Sequence, residues 1–337
     1  MLTAFMTGLH GQHLTDAERH YLRSARPAGI ILFARNCDSP DQIRALVAEA
    51  KSAIGSDRIL VAIDQEGGRV QRLRPPHWHR LPTAAALGRM YDSDPAAGCA
   101  AARSIAHLVA EELRGLGVNM NCAPVLDLPV AGAHAVISDR AYGIRPEHVA
   151  RLGRAVMSGL ISGGVVPVIK HIPGHGRATS DSHHDLPVVD TDLAILEVTD
   201  FAPFRALNDA PAAMTAHVVF TALDSRHPAS ISTLVTQQII RGSIGFNGLL
   251  LSDDLSMRAL AGSLEARARD VHAAGSDLAL HCNGAMAEME EVVAASPALT
   301  GHAEARFERA LAVTATCEPL DLASAQSSLA EALSTPA

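Results

Sequence analysis

The sequence predicts an α/β fold, a single (β/α)8 barrel of the TIM type, from three observations. Eight short apolar segments recur along the 337 residues, and helix-forming stretches separate most of them. Most of these segments are nearly continuous runs of apolar residues, as expected for parallel strands that are buried on both faces. The sequence has neither GxGxxG after the first strand nor GxxxxGK[ST], so an open nucleotide-binding sheet loses its main support.

The eight predicted strands follow one another at intervals that leave room for helices. In chain order they are AFMTGL (4–9), GIILFA (29–34), ILVAID (59–64), VNMNCAP (118–124), VVPVIKH (165–171), AAMTAH (212–217), GLLLSDD (248–254) and DLALHC (277–282). Stretches rich in Ala, Leu, Arg and Glu predict helices at 41–54, 95–116, 146–163, 192–208 and 258–274. This βα alternation is typical of one parallel sheet.

The C-terminal residues complete the predicted domain organisation. A helix over 302–315 follows the eighth strand and closes the barrel. We therefore expect one (β/α)8 domain over residues 1–317. Residues 318–337 are rich in Ala and Ser and weakly patterned, so we interpret them as a C-terminal tail.

Composition and charge exclude several classes of protein. Hydrophobic residues make up 48% of the chain, which excludes a disordered or fibrous protein. The 28 Lys and Arg against 36 Asp and Glu give a net charge of −8, so we expect no nucleic-acid partner. We find no signal peptide and no membrane-length apolar run, and expect a soluble, cytoplasmic protein without a membrane partner. The five cysteines are scattered and never form CxxC, which argues against disulfides and a structural zinc site.

Polar residues end or directly follow six of the eight predicted strands. They are Asp64, Asn121, the pair Lys170 and His171, His217, the pair Asp253 and Asp254, and His281. One such residue is usually a solvated strand end. However, the carboxyl ends of all strands of a (β/α)8 barrel meet at one rim, where these enzymes place their reactive groups. Six strands together therefore predict an active site at this rim.

The densest group of polar residues is KHIPGHGRATSDSHHDLP (170–187), a loop after the fifth strand. Asp181 and His183 are close enough for the carboxylate to orient the imidazole and favour its charged form. Such a pair can protonate a leaving oxygen near neutral pH, although the spacing also fits an incidental hydrogen bond. Loops of this length are usually functional, and we expect this one to move on hinges at Gly174 and Gly176.

The seventh strand ends in two adjacent carboxylates, Asp253 and Asp254. Neighbouring residues of a strand face opposite ways, so at most one of the two points to the barrel axis, and the other fits the start of the next helix. A carboxylate at the barrel mouth opposite a proton-donating pair is the arrangement used for glycoside cleavage with retention of configuration.

Five blocks of the sequence resemble the family 3 glycoside hydrolases, specifically their bacterial β-N-acetylglucosaminidases. The blocks are VAIDQEGGRVQRLR (61–74), GVNMNCAPVLDL (117–128), KHIPGHGRATSDSHHDLP (170–187), MTAHVVFTALD (214–224) and LLLSDDLSM (249–257). The resemblance implies that the barrel, residues 1–317, is a catalytic domain with a retaining mechanism and no metal or cofactor. It also implies cytoplasmic recycling of cell-wall muropeptides by removal of the non-reducing N-acetylglucosamine.

The resemblance assigns roles to eight residues of this sequence. It makes Asp253 the nucleophile, His183 the acid/base and Asp181 its partner. The sugar-binding residues that it implies are Asp64, Arg72, Arg140, Lys170 and His171. The expected binding partner is a muropeptide or chitooligosaccharide-like molecule, and a monomer is favoured. The sequence leaves open whether Asp254 orients the 2-acetamido group of such a substrate.

Other interpretations stay open from the sequence. A barrel metallohydrolase would take its zinc ligands from His171, His175, His183 and Asp185, although no HxH lies on an early strand. A β-N-acetylglucosaminide phosphorylase would use the same scaffold with phosphate as the acceptor. A sugar-binding protein without activity is disfavoured, because the three proposed catalytic residues are all present. Trp78 fits both a sugar-stacking platform and a packed loop anchor.

Overall fold

The computed structural model describes residues 1–182 and 185–335, and its strands confirm the predicted fold class. The strands of this part of the chain are β1 (Thr3–Gly8), β2 (Pro27–Leu32), β3 (Leu60–Ile63), β4 (Gln65–Gly67), β5 (Val70–Gln71), β6 (Met120–Asn121), β7 (Val166–Ile172), β8 (Val188–Val189), β9 (Ala212–Thr215), β10 (Val219–Phe220), β11 (Leu249–Asp254) and β12 (Leu278–His281). Eight of them are parallel and close into a barrel in the order β1-β12-β11-β9-β7-β6-β3-β2, and β4–β5 and β8–β10 form two small separate sheets. Every barrel strand overlaps one of the eight predicted segments.

The helices lie between the strands, as the alternation predicts. Their bounds are α1 (Asp16–Ala25), α2 (Pro40–Ile54), α3 (Ala84–Ser93), α4 (Pro95–Arg114), α5 (Pro146–Ser162), α6 (Leu193–Val198), α7 (Phe201–Ala206), a π-helix (Val235–Ser243), α8 (Leu264–Ala274), α9 (Met286–Ala295), α10 (Gly301–Ala312) and α11 (Leu322–Ser334). Local sequence explains several ends. For example, Ser39 caps the start of α2 through the backbone of Gln42, and Gly55 ends it in the left-handed region.

Two predicted helices differ from the structure in their extent. The segment 192–208 forms two helices, α6 and α7. A continuous helix would require Pro203 to donate a backbone bond to residue 199, which proline cannot do, so the helix restarts with Pro203 in its first turn. The helix predicted from 258 begins at Leu264, because Gly262 has a positive φ of 86° and Ser263 is the N-cap.

Each barrel strand is apolar on both faces, and its inward-facing residues alternate with those that pack on helices. Leu249 and Leu251 of β11 belong to the group of side chains that fills the barrel, whereas Leu250 packs against the helices. The same period of two applies in β3, where Leu60 and Ala62 face inward. Because the interior is filled by apolar side chains, a ligand can reach only the residues beyond the last apolar layer.

The segment 318–337, interpreted from the sequence as a tail, contains helix α11 over residues 322–334. This helix contacts α4 and buries Ala325, Leu329 and Ala332, which are spaced three or four residues apart on one face. Glu318, before the helix, accepts a hydrogen bond from the Ser162 hydroxyl at 2.9 Å, and its backbone N–H donates to the Ser162 carbonyl at 2.7 Å. In the described residues, no helix is both long and apolar enough to cross a membrane.

Truncation of Leu329 tests whether α11 is part of the folded domain. Leu329→Ala is expected to lower the free energy of unfolding by about 2–4 kcal/mol, because it removes a buried side chain from a packed interface. Leu333→Ala is the matched control, since this leucine of the same helix is 41% exposed against 5% for Leu329, and its effect should stay within about 0.5 kcal/mol. Urea unfolding measures both. Equal small effects would mean that the docked helix contributes nothing to stability.

Candidate active site

The inward-facing rows of the barrel strands end in charged residues at the carboxyl rim. In β3 the row Leu60 and Ala62 continues to Asp64, and in β11 the row Leu249 and Leu251 continues to Asp253. These residues surround a cavity of about 300 Å³ at the barrel mouth. Seven of the eight residues singled out from the sequence line it: Asp64, Arg72, Arg140, Lys170, His171, Asp181 and Asp253. The eighth, His183, lies outside the described residues.

A compact cluster of ion pairs forms one wall of the cavity. The ammonium of Lys170 lies 2.9 Å from Asp64 Oδ1 and 2.7 Å from Glu66 Oε1. Arg140 donates two bonds of 2.8 Å to the two oxygens of Glu66, and Arg72 lies 3.0 Å from Asp64 Oδ2. Burial alone would lower the pKa of Lys170, but the two carboxylates raise it above its ordinary value. The cluster therefore holds fixed charges of both signs in a space that can accommodate polar groups of a ligand.

Glu66 is the member of this cluster that sequence reasoning missed. It lies two residues after Asp64 and is almost completely buried between Lys170 and Arg140. Burial raises its pKa, but Lys170 and Arg140 lower it to a net value below the ordinary one. The block DQEGG contains both carboxylates, which was the available signal. The spacing did not show that Glu66 joins two cations that are distant from it in the sequence.

Asp127 holds His171 in one orientation. Its Oδ2 lies 2.6 Å from His171 Nδ1, while its Oδ1 accepts the backbone N–H groups of His171 at 3.2 Å and His175 at 2.7 Å. Burial would raise the pKa of Asp127, and His171 lowers it below the usual range. The ionised carboxylate requires the proton on Nδ1 of His171, so Nε2 is the ring atom left to act on a ligand in the cavity.

Asp253 is a buried carboxylate at the end of β11, with 7% of its surface exposed. Its Oδ1 accepts the backbone N–H of Asp254 at 2.8 Å. Burial raises the pKa of Asp253, but His171, this backbone bond and Lys170 contribute to a net pKa below its ordinary value. Asp253 is therefore an ionised carboxylate at neutral pH with oxygen lone pairs facing the cavity.

Asp254 uses its carboxylate within the protein. Oδ1 accepts the backbone N–H groups of Ser256 and Cys282, both at 3.1 Å, and Oδ2 accepts the Ser256 hydroxyl at 2.5 Å. Asp254 thus ties the end of β11 to the end of β12. Strand alternation alone did not distinguish the two adjacent aspartates, and their hydrogen bonds now show that they have different partners.

Neutralising Asp254 is expected to lower the free energy of unfolding but to have a smaller effect on the rate of hydrolysis. Asp254→Asn exchanges a carboxylate oxygen that accepts a hydroxyl proton for an amide, and should lower the free energy of unfolding by about 1–3 kcal/mol. Hydrolysis of an N-acetylglucosaminide should stay within about tenfold of the wild type. Thermal unfolding and steady-state kinetics on the same samples measure both effects. A loss of activity as large as that of Asp253→Asn would contradict this division of roles.

Three other residues considered in the sequence analysis, Trp78, Asp185 and His175, lie in different surroundings. Trp78 belongs to the hydrophobic core and does not line the cavity, so it anchors its loop. Asp185 is exposed. His175 is buried, and its backbone is bound to Asp127. Within residues 1–182 and 185–335, no group of three His, Cys, Asp or Glu side chains is placed to hold a metal ion, so a zinc site gains no support from this part of the chain.

Comparison with known proteins identifies the family. Residues 2–313 match the glycosyl hydrolase family 3 N terminal domain. The chain belongs to glycosyl hydrolase family 3. A relative from Alkalilimnicola ehrlichii, named Beta-hexosaminidase, is 43% identical over 287 residues, which cover 84% of this chain and 81% of the relative.

Solved structures of family 3 proteins agree with this fold over almost the whole chain. Native NagZ from Neisseria gonorrhoeae has a TM-score of 0.88 and 35% sequence identity to this chain, and the match covers 99% of this chain and 98% of that one. The same values hold for that protein in complex with N-trifluoroacetyl-D-glucosamine. The barrel described above is therefore the catalytic fold of a family 3 glycoside hydrolase.

Proposed function

We propose that this protein is a retaining, exo-acting β-N-acetylglucosaminidase that forms a covalent glycosyl-aspartate on Asp253. The observation that carries the proposal is that this buried carboxylate, whose pKa is held below its ordinary value, lines a cavity of about 300 Å³ at the barrel mouth. That volume is at the lower end of the range for small-molecule sites, which suits a single terminal sugar. The named hexosaminidase relative and the glucosamine-analogue complex of NagZ support an N-acetylhexosamine as that sugar.

The proposed reaction has two displacement steps at C1 of the sugar, and His183 gives a proton in the first step and takes one in the second. Asp253 attacks C1 of the sugar while the bond to the leaving oxygen breaks and His183 gives that oxygen a proton. His183 then takes a proton from water, which attacks C1 and releases Asp253, so the product keeps the configuration of the substrate. Asp181 lies on the cavity wall, two residues before His183, and is proposed to orient it and stabilise its charged form.

The ion-pair cluster is proposed to bind the hydroxyl groups of the sugar. Asp64 can accept two neighbouring hydroxyls, whereas Lys170, Arg72 and Arg140 can donate to hydroxyl oxygens. His171 Nε2 adds one further polar contact. Because the opposing charges already hold one another in place, the sugar meets groups that need little rearrangement on binding.

The biological substrate that we propose is a GlcNAc-anhydroMurNAc-peptide in the cytoplasm, where cell-wall recycling would produce it. The basis is the resemblance of the five sequence blocks to bacterial enzymes of this kind. Purified protein incubated with such muropeptides should release N-acetylglucosamine and leave the anhydromuramoyl peptide intact. Cleavage of a chromogenic glycoside without any cleavage of muropeptides would overturn this assignment of substrate.

The activity itself is tested with 4-nitrophenyl β-N-acetylglucosaminide. We expect release of nitrophenol, with the β-anomer as the first product by proton NMR. A 2-deoxy-2-fluoro or 5-fluoro glycosyl fluoride should leave an adduct on the peptide that contains Asp253. Initial α-anomer would show inversion. The same rate in phosphate and non-phosphate buffer, without a sugar phosphate product, would dismiss phosphorolysis.

A further inference from the structure

We propose that Ser182 is a positioning residue whose hydroxyl latches the loop 173–187 to the barrel and so controls proton delivery to the leaving group. This inference rests on the proposed function, because it assumes that the loop carries the acid/base pair. The hydroxyl of Ser182 is not assigned any role by the sequence. Ser182 contacts the β11–α8 connection, whereas the base of the loop is held by other segments of the chain.

The base of the loop is fixed by contacts that do not involve the catalytic residues. Arg177 donates to Asp200 Oδ2 at 2.6 Å and to the Thr199 hydroxyl at 3.1 Å. The Ala178 carbonyl accepts the backbone N–H of His134 at 2.8 Å. At Gly176, a Cβ atom would lie 2.1 Å from the carbonyl oxygen of Leu128, so this glycine allows close packing. The loop is therefore anchored as far as residue 178.

A second set of contacts begins at Ser182, which is 3% exposed. Its hydroxyl donates to Met257 Sδ at 3.7 Å and lies 3.3 Å from His175 Nε2. Its carbonyl accepts the backbone N–H of Ala259 at 3.2 Å. Between the two sets of contacts, Thr179 is exposed. The catalytic end of the loop is thus held to the β11–α8 connection through the backbone and side chain of one serine.

The charge of His175 and the hydroxyl donor of Ser182 together limit the hydrogen bonds that this latch can form. Burial and the neighbouring His171 lower the pKa of His175 to about 4, so the ring is neutral at pH 7. Because the Ser182 hydroxyl donates to Met257 Sδ, its oxygen is left to accept a hydrogen bond from Nε2–H of the neutral His175 ring. The other ring atom, His175 Nδ1, is buried without a hydrogen-bond partner in the described residues. The serine therefore joins His175, at the anchored base of the loop, to Met257 of the β11–α8 connection.

The opposite side of the latch is rigid. Arg267 of α8 donates to the carbonyls of Leu255 and Met257 at 2.7 and 3.0 Å, which fixes the segment that receives Ser182. Ser182 also directly follows Asp181 in the chain. A small displacement at Ser182 therefore moves the Asp181 carboxylate, and misplacement of a catalytic group by about 1 Å can reduce the rate about 100-fold.

The latch predicts a dependence on the leaving group that a general structural role does not produce. In Ser182→Ala, kcat/KM for phenyl β-N-acetylglucosaminide, whose leaving group requires a proton, should fall about 10- to 100-fold. For the 2,4-dinitrophenyl glycoside, whose leaving group requires none, kcat/KM should fall less than about threefold. Thr179→Ala, an exposed position in the same loop, is the matched control and should change neither value. Equal losses with both substrates, or no loss, would overturn the proposal.

Hydrogen exchange tests the latch without relying on activity. The peptide spanning residues 179–187 should exchange its amide protons at least about threefold faster in Ser182→Ala than in the wild type or Thr179→Ala. Peptides from α8 and from the barrel strands should be unchanged. If the wild type failed to cleave either glycoside, the proposed function would fail, and exchange alone would decide the latch. Unchanged exchange in Ser182→Ala would overturn it.

Discussion

Asp253→Asn should reduce kcat for 4-nitrophenyl β-N-acetylglucosaminide by at least about 1000-fold, because the amide cannot form the covalent intermediate. The side chains are similar in size, and the one hydrogen bond that Asp253 accepts, from the Asp254 backbone, can be kept by the amide oxygen. Folding should therefore be preserved. Stopped-flow or overnight assays with the purified variant measure the residual rate, and circular dichroism checks the fold.

A variant with a smaller side chain at position 253 tests the same assignment through a gain of activity. Asp253→Gly leaves space beside the anomeric carbon, so azide should restore turnover of the 2,4-dinitrophenyl glycoside and yield the α-glycosyl azide. The wild type with azide should instead give the β-azide through two displacements. If Asp253→Asn retained more than about a tenth of the wild-type rate, or if azide had no effect on Asp253→Gly, another residue would have to be the nucleophile.

Lys170→Met is expected to lower the free energy of unfolding by about 3–5 kcal/mol, since it leaves two buried carboxylates with one cation fewer. Asp64 and Glu66 both lie within 3 Å of the Lys170 ammonium. The chain has only two lysines, and Lys51 in the last turn of α2 gives the matched control. Lys51→Met should change stability by less than about 0.5 kcal/mol. Urea unfolding at pH 7 measures both variants.

The stability lost in Lys170→Met should be larger at neutral pH than at acidic pH. In the wild type, burial raises the pKa of Asp64, but Lys170 and Arg72 lower it below the ordinary value; Glu66 behaves in the same way. Their stabilisation is therefore present above about pH 4 and lost as the pH falls through the folded-state pKa values. Without Lys170 these pKa values rise, so the variant loses stability at neutral pH but less when the carboxylates are protonated. The difference in the free energy of unfolding between wild type and Lys170→Met should be smaller at pH 4 than at pH 7. The same difference at both pH values would contradict this prediction.

The sequence was most informative where one physical rule applied to the whole element. Apolar runs located all eight barrel strands, because buried parallel strands are apolar on both faces. The inward period of two then places Asp64 and Asp253 at the rim. The break at Thr199 and the docking of α11 were not predicted, because they depend on Pro203 and on the surface of α4.

Contacts between segments that are distant in the sequence could not be predicted from the sequence. Spacing showed that Asp64 and Lys170 lie at the ends of two barrel strands, β3 and β7, but not that Glu66 joins Lys170 to Arg140. Strand alternation alone left open which of Asp253 and Asp254 faces the cavity, and the family resemblance favoured Asp253 as the nucleophile. The pairing of Asp181 with His183 stays a prediction, as does the catalytic role of each residue, until the variants above are measured.

The scarcity of lysine has a practical consequence for handling the enzyme. Lys170 is buried in its ion pairs, whereas Lys51 lies near the C-terminal end of α2, which runs antiparallel to the strands and ends at the face opposite the sugar cavity. Amine-reactive supports, dyes and cross-linkers should therefore react with the side chain of Lys51 and leave that of Lys170 untouched. A molecule attached through Lys51 would have the opening of its cavity directed toward the solution.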